Sequence, residues 1–160
     1  MRGVYALILE LSKKVYTTIG RPGAHRLNLG FYIYIGKGSG KGSSSVEARL
    51  KRHFSKDKRP FWHIDYLTLN PQFTAKAAVS AATTELSECY LTRLLLRELE
   101  AELAIKGFGS SDCKCGGHLI YVSSGSLKWL VGTVYAVFLK LKLKPRVIRI
   151  WNHQRKVEKA

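Results

Sequence analysis

Acidic residues are scarce in this chain: eleven Asp and Glu stand against twenty-seven Lys and Arg, leaving a formal net charge of +16. So little negative charge produces a field that gathers polyanions at the surface, and nucleic acid, DNA or RNA, is the first partner to consider. The plainer consequence of such charge is solubility, or company with ribosomes. Apolar runs are short as well. The longest, "WLVGTVYAVFL", is followed at once by lysines and falls below the roughly 18 residues a membrane span requires. With no signal-peptide layout at the start, the expected location is cytoplasmic, with no membrane partner. Cysteine is limited to Cys89, Cys113 and Cys115, an odd set that argues against a disulfide framework. "CKCGGH" offers Cys113, Cys115 and His118 as zinc ligands with Cys89 as a distant fourth. One residue between two cysteines suits a tetrahedral knuckle poorly, so buried or mildly reactive thiols are expected instead of structural zinc. No internal repeat is visible.

What is present fits one core. A chain of 160 residues that is 46% hydrophobic leaves little room for a second domain. "GVYALILEL" is apolar on both alternating faces and predicts a central strand. "VYTTI" predicts its hairpin partner, "GRPGAHRLNLG" an exposed loop, and "FYIYIG" a third strand. Serines closing the glycine loop predict a helix from about Val46, with Val46, Leu50 and Phe54 on one stripe and Arg49 and His53 together on a shared side. "FWHIDYLTL" reads as a further strand or extended segment ending at Pro71, and "AKAAVSAA" fits helix or strand. "TTELSECYLTRLLLRELEAELAIKG" predicts a long helix stopping at Gly107, with Leu91, Leu95 and Leu99 buried and Arg93, Arg97 and Glu100 opposite. Glu88 falls on the leucine side, costly for a carboxylate unless it is paired or bound to metal. "HLIYV" predicts a last core strand, and "KLKLKPRVIRIW" an edge strand with one charged face.

The glycine loop "GKGSGKG" invites comparison with a nucleotide-binding P-loop. It is one residue short of that motif, and Gly42 occupies the place of the magnesium-binding hydroxyl. A connector that also touches phosphate through Lys37 and Lys41 is the better reading. Further basic residues, Lys51, Arg52, Lys56, Lys58 and Arg59, flank an aromatic cluster, and Lys140, Lys142, Lys144, Arg146 and Arg149 follow near the end of the chain, an interleaving that suits a nucleic-acid groove.

The polar residues at the ends of these elements carry a resemblance. "GVY" at 3–5, "YIG" at 34–36, Arg49 followed four residues on by His53, and Glu88 downstream are similar to the GIY-YIG nuclease superfamily. "FWHIDYL" and "GFGSSDCKCGGHL" resemble one branch of it, small and mostly prokaryotic proteins of poorly defined function that occur alone or fused to DNA-processing domains. The resemblance runs from Gly3 to about Val122. It implies an α+β fold with a small central antiparallel sheet of three strands flanked by helices over residues 1–122, and residues 123–160 as a C-terminal extension of the same domain.

It further implies a metal-dependent endonuclease acting on DNA, structured or damaged. Glu88 would ligate one Mg2+ or Mn2+, Arg49 would hold the scissile phosphate, Tyr5 or Tyr34 would help to deprotonate water, and His53 would assist. The chemistry is coherent on its own terms, because a cation and a guanidinium fork match the charge of a phosphodiester transition state. A phenol of ordinary pKa near 10 would need lowering by neighbouring cations. His63 and Asp65, placed on one strand face, and Asp112 are candidate additional ligands, against structural roles as a hydrogen-bonded pair and a loop cap. The insertion "TTIGRPGAHRLNLG" and the long "GKGSGKGSSS" would widen or redirect the groove. The rival reading is a non-catalytic nucleic-acid-binding module that kept the fold.

Overall fold

The computed structural model describes residues 1–109 and 115–150, together with the backbone of 157–159. Its centre is β1 (Arg2–Leu11), in which Gly3 to Leu9 are all buried. A strand apolar on both faces must fill both of its edges with other strands and both faces with other layers. β4 (Gly30–Ser39) and β5 (Phe73–Ala82) pair with it on either side, antiparallel. β6 (Glu102–Leu103), β7 (Leu119–Val122), β8 (Arg146–Ile150) and β9 (Val157–Lys159) extend the sheet to seven strands in the order β6-β7-β4-β1-β5-β8-β9.

The fold is thus α+β with an antiparallel sheet, as expected, but the sheet is larger than three strands. The strand that "VYTTI" predicts is not among the seven. It forms β2 (Val15–Ile19), which pairs with β3 (Gly23–Leu27) in a separate two-stranded sheet and not with β1. β3 arises inside the segment expected to be loop. The larger sheet comes from β5, built of residues small enough to be read either way, and from short strands that exist only through their neighbours.

Side-chain alternation sorts the core into two layers. Val4, Ala6, Ile8, Ile33 and Ile35 point to one face, with Leu91, Leu95 and Leu99 of α3 (Glu88–Glu98 and its cap) and Leu130, Val134 and Phe138 of α4 (Leu127–Lys140). Tyr5, Leu7, Leu9 and Tyr32 point to the other, with Val46 and Leu50 of α1 (Val46–Phe54) and Ile64 and Leu67 of α2 (His63–Thr68). The leucine stripe of α3 lies where its wheel predicts. Its end does not: Glu100 turns left-handed at φ 50°, and the Ala101 amide bonds the Leu96 carbonyl at 3.0 Å. That Schellman-type closure releases the chain into β6, well short of Gly107. No helix among the described residues is long and apolar enough to cross a membrane.

The glycine of the second tyrosine motif has a spatial cause. Tyr5 stands opposite Gly36 in the β1–β4 register, and a Cβ on Gly36 would be driven into the Tyr5 ring and hydroxyl. Gly36→Ala is expected to lower Tm by roughly 2–12 °C, from about 1–3 kcal/mol of overpacking at about 2–4 °C per kcal/mol. A calorimetric scan showing an unchanged Tm would contradict this packing.

Candidate active site

α1 begins as the serines imply. The Ser45 hydroxyl accepts from the Ala48 amide at 3.1 Å, and burial of Val46 and Leu50 turns Arg49 and His53 toward the sheet. His53 is buried and its Nε2 lies 2.7 Å from the Tyr5 hydroxyl. The rings of Tyr5 and Tyr34 are 6.3 Å apart between centroids, and Tyr34 meets His53 edge-on at 5.8 Å. Glu88 opens α3, just after the Ser87 cap that accepts from Tyr90. Its carboxylate is 19% exposed, with Oε1 3.7 Å from Lys37 Nζ and Oε2 3.6 Å from His118 Nδ1. Tyr5, Tyr34, Arg49 and Glu88 line one cleft of about 290 Å3, shared with Lys37, Trp62 and His118. Four different elements therefore deliver these groups to a common space.

The cleft is cationic around a single carboxylate. The Arg49 and Arg52 guanidiniums each sit 5.1 Å from the Trp62 ring centre, a cation–π arrangement. Arg49 Nε is buried with no hydrogen-bond partner among the described residues.

Burial is the largest influence on the phenols. It pushes Tyr5 and Tyr34 well above the ordinary tyrosine value, reinforced by each one's neighbour (Tyr34 for the first, Glu88 for the second) and only partly opposed by Arg49. The expected lowering by nearby cations is thus not achieved by the protein's own arginine. His53 moves the other way. Burial, then the Lys58 charge, brings it down to about 3, so it is neutral at pH 7.

A folded-state His pKa below the unfolded 6.5 means that the unfolded chain binds the extra proton. Stability is complete above about pH 6.5 and is lost as pH falls toward 3, by up to about 1.4 kcal/mol per pH unit. Urea midpoints of His53→Gln between pH 7 and 4 are expected to fall less steeply than those of the wild type. Parallel curves would refute the assignment.

Residues 4–139 match a domain of unknown function, DUF123. The chain belongs to the DUF123 family. The matched span contains every cleft residue named above and runs through nearly all of α4. No curated protein and no solved structure matches the chain.

Other expected site residues of this DUF123 chain are placed differently. "HIDYLT" is α2 and not a strand, because Asp65 reaches back to cap it: Oδ2 accepts from the Phe61 and Trp62 amides at 2.9 and 3.0 Å and from Arg52 Nη2 at 2.8 Å. Burial pushes the Asp65 carboxyl up, but these donors and Lys58 outweigh it and hold it below the usual range. Asp65 is fully buried and outside the cleft lining. His63 lines the cleft, yet it does not pair with Asp65; its Nδ1 accepts from the Gly109 amide at 2.9 Å. Asp112 lies outside the described residues.

Among the basic residues expected to face nucleic acid, Lys58 is an internal strut. Its side chain is 3% exposed and bonds the Arg52 carbonyl at 2.8 Å and Thr68 Oγ1 at 2.7 Å beside Asp65. Lys56 bonds the Thr68 carbonyl, and Arg52 bonds the Arg59 carbonyl as well as Asp65. Lys37, Lys41, Lys51, Lys56 and Arg59 remain exposed.

The sequence reading missed Trp62 as an arginine platform, although an aromatic cluster flanked by basic residues was the available signal. It also set Cys89 apart from Cys115. The two are joined as a disulfide across 26 residues, which corrects the expectation of separate thiols. With His118 they form a cluster whose ligand atoms lie within 4.8 Å of one another and could bind a metal. Cys113 lies outside the described residues.

Proposed function

We propose that this DUF123 domain is a metal-dependent endonuclease of the GIY-YIG type that cleaves DNA, structured or damaged DNA foremost. The observation that carries the reading is the convergence of Tyr5, Tyr34, Arg49 and Glu88 from β1, β4, α1 and α3 on one cleft of a chain with net charge +16.

The donor set fits a hard divalent cation. Glu88 is partly exposed at the cleft, with Lys37 Nζ at 3.7 Å and His118 Nδ1 at 3.6 Å, which leaves carboxylate lone pairs for Mg2+ or Mn2+ with waters completing the shell. Bound there, the ion would neutralise phosphate charge and acidify a water. Arg49, pre-stacked on Trp62, presents its donors to a phosphate oxygen, a fork that lysine cannot copy.

Neutral His53 shares a hydrogen bond of 2.7 Å with the Tyr5 hydroxyl and accepts it only in the tautomer protonated on Nδ1. Burial pushes the phenol up and the imidazole down, so moving the phenol's proton to His53 is strongly unfavourable. His53 therefore orients Tyr5 and is not its base. Tyr5 and Tyr34 act as hydrogen-bonding phenols that position the attacking water. Exposed Lys37, Lys41, Lys51 and Arg59 supply contacts along the backbone of the nucleic acid, which carry affinity and no base sequence.

The test incubates purified protein with supercoiled plasmid and branched duplexes in Mg2+ or Mn2+, beside a chelator control. Nicked product in metal alone is the expected result. DNA retained without nicking in either metal would leave a non-catalytic binding module, and salt-sensitive retention of RNA without cleavage would shift the partner to RNA.

A further inference from the structure

We infer that Cys89, Cys115 and His118 form a second metal site, for a thiophilic cation of the Zn2+ class, and that this metal and the Cys89–Cys115 disulfide are alternative states of one clip. The inference does not depend on the nuclease reading.

Three segments meet here: the first turn of α3, the loop before β7, and the residue that leads into β7. His118 Nε2 lies 3.5 Å from Cys89 Sγ and 3.1 Å from Cys115 Sγ. A tetrahedral zinc with Zn–S near 2.3 Å and Zn–N near 2.0 Å places nitrogen about 3.5 Å from each sulfur. The imidazole already stands where a ligand must stand. Only the sulfurs have to part, to about 3.8 Å on the same geometry, as they do once the bond between them is reduced.

The His118 backbone is pinned on both sides, its amide donating to Phe108 at 2.7 Å and its carbonyl accepting from Ile35 at 2.9 Å. Its other ring nitrogen, Nδ1, faces the Glu88 carboxylate at 3.6 Å. A carboxylate behind a ligating histidine is the usual outer partner that fixes the tautomer and raises ligand basicity. Two residues separate Cys115 from His118, a spacing suited to a knuckle, unlike the single residue between Cys113 and Cys115.

Thiolate and imidazole select zinc over magnesium or manganese, so this ion differs from the one assigned to Glu88. Either state of the clip ties the start of α3 to β7 and thereby sets where Glu88 stands. Interconversion needs a two-electron oxidant, for which we name a hydroperoxide. Two thiolates, hydrogen peroxide and two protons give one S–S bond and two waters. The O–O bond breaks, the sulfurs lose two electrons, and Zn2+ leaves as the aqua ion. A dithiol reverses the oxidation.

The test uses the full chain without nucleic acid, reduced by a phosphine under argon, stripped of metal, and titrated with Co2+ and then Zn2+. One Zn2+ per chain is expected, displacing a Co2+ spectrum with thiolate charge-transfer and tetrahedral d–d bands. Peroxide is expected to release the zinc to a chromophoric chelator and to remove two of the three titratable thiols. Cys89→Ser, Cys115→Ser and His118→Ala should each weaken zinc binding by about 100-fold or more. If a variant fails to fold, the wild-type cobalt spectrum and the peroxide release still decide. Reduced protein with three reactive thiols that takes up no stoichiometric zinc would overturn the site, as would zinc that stays bound after peroxide has removed two thiols. Neither readout involves cleavage, so failure here and failure to nick DNA are separate results.

Discussion

Glu88→Ala is expected to lower metal-dependent nicking by about 10²–10³-fold or more, the size of losing one preorganised electrostatic contact to the transition state, about 3–4 kcal/mol. Binding should survive the change. The lost group is an anion in a cleft edged by Lys37, Arg49 and His118, so its removal raises the local positive field that holds DNA. The fold should survive as well. Alanine suits a helix, the Ser87 cap is untouched, and the favourable placement of a carboxylate at a helix N-terminus is worth only about 0.3–1 kcal/mol. Single-turnover cleavage measured beside filter retention separates these effects. Equal cleavage by the variant and the wild type would remove Glu88 from the chemistry.

Arg49 provides the second large effect. Arg49→Ala should reduce kcat by about 10²–10³-fold with a smaller change in KM, because its fork is aimed at charge that grows in the transition state. Arg49→Lys should recover only part of the loss. An ammonium keeps the charge but neither forms the bidentate contact nor stacks on Trp62 as the guanidinium does at 5.1 Å. If Arg49→Lys were fully active, the residue would be acting as a simple point charge. If both variants changed only KM, Arg49 would belong to ground-state binding.

Local chemistry made part of this site readable in advance. Serine before Val46 marks a helix start, four-residue spacing puts Arg49 and His53 together, and the Leu91, Leu95 and Leu99 stripe orients α3, so the elements carrying Arg49, His53 and Glu88 follow from pattern alone. The remainder depends on partners remote in the chain. Asp65 turns an aromatic, strand-like stretch into a helix by capping it and draws Lys58 inward, and nothing near Lys58 in the sequence marks it as buried. β2 has the composition of a strand for the main sheet, but β1 has both edges occupied by β4 and β5, so it pairs elsewhere. Gly36 reads as turn chemistry until its cross-strand partner is seen to be the Tyr5 ring. Acidifying the phenols takes arginine and metal charge together; burial outweighs Arg49 alone, a balance set by packing that composition does not display.

The central claim is that Glu88 is the ligand of a hard divalent ion inside the cleft. Crystals soaked in Mn2+ and measured for anomalous scattering test it directly. A peak about 2.1 Å from a Glu88 carboxylate oxygen, bounded by Tyr5, Tyr34 and Arg49, is the predicted result. Manganese bound elsewhere while the cleft of a fully soaked crystal shows no peak would contradict it.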